Sequence, residues 1–248
     1  MIDLKNAEQL EEHFWRTSVH ESPESDSIDN ILNKTSEARV FLEKFRLYKS
    51  YFDNAHNVLE LGGGQCWASC LVKRFCPNLD VTATDLSENA IASVGKWATI
   101  YGARPNRTTA CRAYSTPFAD NSFQLIFAFA AAHHFRKYDR SMGEVRRLLV
   151  PGGSALFFYE PSCTEYIYKP SVYMTNKMHP TVPEDILVRS RLKKLAKKHN
   201  LSITFNLAPT LTNRSGLGAI YYSALNKVKP LTRILPCSVD ILIHKSAV

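Results

Sequence analysis

The chain has 248 residues, 45% of them hydrophobic and 22% charged, and carries a formal net charge of +8. That length bounds one large domain with a full hydrophobic core plus embellishments, and the composition is ordinary for a globular protein. No apolar run approaches the roughly 18 residues that a membrane-crossing helix needs.

The first residues, MIDLKNAEQLEE, are acidic and amphipathic, unlike a secretory leader or an Arg-rich transit peptide, so a cytoplasmic location is expected. Residues 5–17 read as a short helix carrying Leu10, Phe14 and Trp15, and HESPESDSIDN (20–30) as an exposed polar connector. The segment 27–52 has apolar residues at helical spacing, Ile31, Leu32, Val40, Phe41, Phe45 and Tyr48. These helices form a prelude and cap, residues 1–54, to a main domain spanning 55–248.

From residue 57 the rhythm changes. Short strand-like runs alternate with helical segments: NVLEL, a helix over 65–75, DVTAT, a helix over 87–101, RTTACR, FQLIFAF, a helix over 138–148, and SALFFYE. VPGGS (150–154) reads as the turn between a helix and the next strand. The tail offers a helix at about 184–199, a strand LSITFNL, an unassigned stretch over 210–236 and a last strand SVDILIHK. The expected fold is α/β, a Rossmann-like doubly wound, mostly parallel seven-stranded sheet with an antiparallel last strand. The N-terminal helices and an insertion at about 160–236 would cap its acceptor site.

Within this alternation, NVLELGGGQCWASC (57–70) runs a strand through three glycines into a helix, the layout in which a nucleotide-like ligand meets strand ends and a helix N-terminus. No Lys-Ser or Lys-Thr follows, which excludes a P-loop. A dinucleotide fingerprint started at Gly62 puts bulky Trp67 where close helix packing needs glycine or alanine. Glu60 at the strand end would repel a pyrophosphate but suits a cationic nucleoside without phosphate, as S-adenosylmethionine is. Asp85 ends the second strand 21 residues after Gly64, where a carboxylate can accept both ribose hydroxyls or cap the following helix.

The runs VLELGGG, VTATDLS, TPFADNSFQLIFAFAAAHHF and EVRRLLVPGGSALFFYE together resemble the class I S-adenosylmethionine-dependent methyltransferases over about residues 55–160. The likeness is greatest to their small-molecule branch that includes quinone-biosynthesis enzymes, the type 11 domain. The resemblance implies a cofactor site made by Glu60, Gly62, Gly63 and Gly64, by Asp85 at the ribose with Leu86 beside the adenine, and by Ala130 after the fourth strand. An acidic residue that the family carries near the adenine amino group is Arg112 here, so the adenine would rest on the surroundings of Ala113 and Tyr114. Phe118, in the family's Pro-Phe step, doubles as a core anchor, and the family's third glycine is Cys66.

Methyl transfer from a sulfonium is an in-line displacement, helped chiefly by alignment and exclusion of water, and needs a base only if the acceptor loses a proton. The candidates at strand ends are His134, then His133, and Glu160 at the end of the fifth strand, which would act as base, orient a substrate amine or cap the loop. Tyr159, Tyr166, Tyr168, Tyr173 and His179 read as walls of the acceptor site. The six cysteines lie in no zinc-like spacing and read as reduced thiols, and no metal is expected.

All the excess charge lies late in the chain. Residues 1–159 hold 18 basic and 18 acidic residues, and residues 160–248 hold 13 and 5. RSRLKKLAKKHN (189–200) reads as a helix with Leu192, Leu195 and Ala196 on one side and bases on the rest, a solvated face or an attraction for an anionic acceptor. The expected activity is methyl transfer to a small or carrier-linked metabolite, at oxygen first, nitrogen next and carbon third. The rival readings are an RNA methyltransferase using the basic third, although no RNA-binding module or base-methylation tetrapeptide is present, and a non-catalytic regulator that binds S-adenosylmethionine.

Overall fold

The computed structural model describes residues 4–19, 21, 22, 25, 27–178 and 183–247; His179 and part of the expected connector at 20–30 lie outside them. Three helices come first: α1 (Leu4–Thr17), α2 (Ile28–Leu47) and α3 (Lys49–Asp53). The alternation follows as β1 (Asn57–Leu61), α4 (Trp67–Phe75), β2 (Asp80–Asp85), α5 (Glu88–Ala92), α6 (Val94–Tyr101), β3 (Arg107–Ala110), β4 (Phe123–Phe129), α7 (Tyr138–Leu148) and β5 (Leu149–Cys163). The last third contributes α8 (Tyr168–Met178), β6 (Leu187–Val188), α9 (Arg189–Lys198), β7 (Leu201–Leu207), α10 (Gly216–Lys227) and β8 (Cys237–Lys245).

The strands form one sheet in the order β3-β2-β1-β4-β5-β8-β7, with β6 pairing beside the end of β5. Seven strands make the path, as expected, and β8 runs antiparallel to both neighbours. The order reverses between β1 and β4, so a crevice opens beyond their carboxyl ends, the place where open α/β sheets take ligands.

Two cores follow from the period-2 alternation of side chains along strands. Val58, Val81, Leu125 and Phe127 face α4, α6 and α2 on one side, while Leu59, Leu61, Ile126 and Ala128 face α7 and α9 on the other. Phe41 of α2 is fully buried and meets the rings of Trp67, Phe127, Phe129 and Phe158 at centroid distances of 5.5 to 6.4 Å. The helical prelude thus shares the core of the sheet. A buried ion pair, Lys44 Nζ to Asp240 at 3.1 Å, ties α2 to β8 as well.

Three local expectations are corrected. VPGGS is no turn outside the strand: β5 starts at Leu149, which pairs with Phe123, and after an irregularity Ser154 pairs with Leu125. The glycines are taken up as a bulge within the strand. The helix expected from about 184 starts at Arg189, because Leu187 and Val188 find the free edge of Ser162 and Cys163 and pair there as β6. The helix expected over 87–101 is broken at Ser93 into α5 and α6. On α9, Leu192 and Ala196 are buried as the pattern requires.

Candidate cofactor and acceptor site

The glycine turn is held by its own chain. Asp85 Oδ2 accepts the amide of Gly64 at 2.8 Å, and Oδ1 accepts the amide of Ser87 at 2.9 Å. Ser87, not Asp85, caps α5 by accepting from the amide of Ala90. Each Asp85 oxygen keeps further acceptor capacity, since a carboxylate offers about four lone-pair sites. Burial pushes the Asp85 pKa up, against the pull of the amides of Ser87, Gly64 and Leu86.

Gly62 and Gly64 have φ of +68° and +52°. A Cβ at Gly62 would come within 2.9 Å of Ala131 Cβ, and one at Gly64 within 2.7 Å of the Trp15 ring. Glycine is therefore required by the backbone conformation and by the neighbours alike. Glu60 is buried, hydrogen-bonded by the Ser69 hydroxyl, and burial raises its pKa to about 7 against that bond.

The other end of the crevice is built around Glu160. The β5 strand has a second irregularity between Phe157 and Glu160, where Tyr159 takes φ of +58°. Fully buried Glu160 accepts the amides of Ala131 and Ala132 at 2.9 Å each and of His133 at 3.1 Å, and bonds His133 Nδ1 at 2.8 Å. His133 Nε2 meets Glu184 at 2.9 Å, and His134 Nε2 lies 3.7 Å from the same oxygen. Burial by itself would lower the His133 pKa, but the bonds to Glu160 and Glu184 outweigh it and raise it to about 10. Burial and the neighbouring His133 push His134 the other way, down to about 3. The two neighbouring rings are thus pushed in opposite directions.

One cavity of about 800 Å³ joins the two ends. Its lining includes Glu60, the three glycines, Asp85, Leu86, Ala113, Tyr114 and Ala130, so every residue expected at the cofactor faces it. His133 and His134 line it too. Glu160 does not: it stands behind His133 and is fully buried, a positioning residue for the loop after β4. Phe118 is partly buried and packs against the core, edge-on to Phe123 at 5.2 Å. Of the expected aromatic wall, Tyr159 lines the cavity, Tyr166 and Tyr173 are exposed, and Tyr168 is bonded to Asp185.

The cavity also collects residues with no sequence signal. Trp15 of α1 covers Gly64, Lys34 of α2 pairs with Glu21 and Glu37, and Glu184 and Arg214 arrive from the last third. Only the helical pattern of the prelude hinted at the first two. All six cysteines are free thiols.

A parallel sheet with one antiparallel strand, a glycine turn after β1 and an acid ending β2 define a nucleoside-binding α/β fold. Residues 59–157 match the methyltransferase domain family, and the fold is that of the class I S-adenosylmethionine-dependent methyltransferases. Among curated relatives, the chain is 24% identical over 159 residues to the ubiquinone/menaquinone biosynthesis C-methyltransferase UbiE of Cupriavidus necator, covering 59% of this chain and 65% of the relative. The match thus spans less than two thirds of that relative's length. Among solved structures, the geranyl diphosphate C-methyltransferase of Streptomyces coelicolor A3(2), in complex with Mg2+, geranyl diphosphate and S-adenosyl-L-homocysteine, aligns with a TM-score of 0.65 at 14% identity, covering 86% of this chain and 83% of that one. The [4+2]-cyclase SpnF aligns at 0.58 and 16% identity, covering 99% and 93%. These structures are similar in fold, and the fold by itself serves more than one chemistry.

Proposed function

We propose that this chain is an S-adenosylmethionine-dependent methyltransferase acting on a small or carrier-linked metabolite that carries an ionisable hydroxyl. The observation that carries the reading is the single cavity that runs from the glycine turn and Asp85 to His133 and His134. In this reading Asp85 takes the ribose hydroxyls, Glu60 faces the methionyl ammonium, and Leu86, Ala113 and Tyr114 surround the adenine. The Gly62, Gly63 and Gly64 backbone and Ala130 lie along the cofactor's chain.

The acceptor oxygen, or the ring carbon it activates, attacks the methyl carbon opposite sulfur. The new bond forms as carbon–sulfur breaks, the bonding pair stays on sulfur to give the neutral thioether, and the hydroxyl proton leaves to water; burial, which lowers the His134 pKa to about 3, makes that ring a poor base. Alignment in a dry cavity supplies most of the acceleration. Carbon stands beside oxygen here because the curated relative is named a C-methyltransferase, and a phenolate or enolate is nucleophilic at both. Arg136, Lys137 and Arg214 line the cavity and favour an anionic acceptor.

The test is incubation with methyl-labelled S-adenosylmethionine and panels of phenols, enols, amines and RNA. Label transfer to a hydroxyl-bearing small molecule supports the reading; transfer to RNA alone, or to amines alone, overturns it. SpnF keeps a second reading in view, a related fold that catalyses a cyclisation, and it would show as conversion of an acceptor without label transfer.

A further inference from the structure

We propose that His133, His134 and Glu184 form a binding site for a divalent transition-metal ion of the zinc type at the acceptor end of the cavity. A ring nitrogen of each histidine and a carboxylate oxygen of Glu184 lie within 4.8 Å of one another. The spacing suits a shared ion. With bonds of about 2.0 to 2.2 Å to nitrogen and oxygen, ligand atoms stand roughly 2.9 Å apart at a right angle and about 3.4 Å apart in a tetrahedron. The two nitrogen-to-oxygen distances here, 2.9 and 3.7 Å, bracket those values.

The surroundings are those of a built ligand set. Metal-bound histidines donate their other ring N–H to a carboxylate, which fixes tautomer and orientation. His133 Nδ1 does so to Glu160, and Glu160 is itself locked by three amides. Glu184 is clamped through its main chain: Asn176 donates to its carbonyl at 2.8 Å and accepts from its amide at 2.9 Å. His134 Nδ1 is buried with no hydrogen-bond partner among the described residues, and its Nε2 is beyond hydrogen-bond distance of Glu184. A ring nitrogen buried without a partner calls for an explanation, and no hydrogen bond to Glu184 competes for the other nitrogen, Nε2, as a ligand.

Two imidazoles and one carboxylate suit zinc, iron, cobalt or manganese, whereas magnesium and calcium favour all-oxygen sets. Three protein ligands leave at least one position open, and both histidines and Glu184 line the cavity. An ion there takes the place of the Nε2 proton of His133 and binds an oxygen of the acceptor, lowering the pKa of a bound hydroxyl. This departs from the metal-free chemistry expected from sequence, where no spacing joins residues 133 and 134 to 184. Its place in the reaction rests on the methyltransferase reading; the binding site itself does not.

The test is a titration of chelator-treated full-length protein with Co2+, followed by visible absorption and without cofactor, then displacement by Zn2+. Glu184→Gln, His134→Ala and a control, His199→Ala, are compared, with near-ultraviolet circular dichroism as the check on folding. One saturable equivalent in wild type and in the control, weakened at least tenfold in Glu184→Gln and His134→Ala, is the expected result. Should His134→Ala fail to fold, the variant at Glu184, whose side chain is 27% exposed, decides. No saturable binding in wild type, or equal binding in Glu184→Gln, overturns the site. Calorimetry of S-adenosyl-L-homocysteine on the same metal-free protein reads the cofactor proposal separately.

Discussion

Asp85 accepts the amide proton of Gly64 at 2.8 Å, so the end of β2 locks the glycine turn at the end of β1. A carboxylate so placed is organised for a nucleoside before one arrives. In Asp85→Ala the lock on the turn disappears, and with it both proposed ribose contacts. With hydrogen bonds to charged groups each contributing about 1.5 to 3 kcal/mol, affinity for S-adenosyl-L-homocysteine should fall by about 100-fold, as read by calorimetry.

In its proposed place at the methionyl ammonium, Glu60 would make cofactor binding depend on pH. Burial raises its pKa to about 7, with Asp85 adding to the rise and Ser69 opposing it. Binding a cationic ammonium requires the ionised form, so affinity for S-adenosylmethionine should climb by up to about tenfold per pH unit below 7 and level off above it. Glu60→Gln should flatten the profile. The sign for stability is opposite. The folded-state pKa lies above its ordinary value of 4.5, so the folded protein binds the extra proton between the two values. The contribution of Glu60 to stability therefore falls as pH rises from 4.5 through about 7.

Gly64 and Trp15 should behave as a coupled pair. Gly64→Ala meets both a left-handed backbone, φ +52°, and the Trp15 ring at 2.7 Å. In a Trp15→Ala background the contact is gone and only the backbone penalty remains, about 1 to 2 kcal/mol. Denaturant unfolding of the double-mutant cycle should show the Gly64→Ala cost shrinking toward that value. Additive costs would mean that α1 does not pack on the turn.

The buried pair Lys44 and Asp240 should be costly to break. Asp240→Ala leaves the Lys44 ammonium buried, along with the Tyr159 amide that Asp240 accepts at 3.1 Å. Loss of one partner of a buried pair costs about 3 to 5 kcal/mol. The midpoint of denaturant unfolding should drop accordingly.

What could be read from the sequence was the chemistry that is local in the chain. The glycines, Glu60 and Asp85 announce their site because the strand-turn-helix unit that positions them is continuous, and the sheet order follows from the alternation of elements. The acceptor end was half legible. His133 and His134 stand out as titratable residues after a strand, but the sequence leaves Glu160 open between chemistry and capping the loop, and its place behind His133 is set by a strand irregularity with no sequence mark. Glu184 lay hidden for a different reason. It approaches from 50 residues beyond His134, just before a segment whose apolar spacing imitates a helix. Leu187 and Val188 pair as a strand there because the sheet offers them an edge, which is a tertiary fact.

Titration calorimetry of S-adenosyl-L-homocysteine into wild type and Asp85→Ala tests most directly whether the glycine turn holds this cofactor. Saturable binding by wild type, about 100-fold weaker in the variant, is the predicted result. Absence of binding by the folded wild type, or equal affinity in Asp85→Ala, would contradict it.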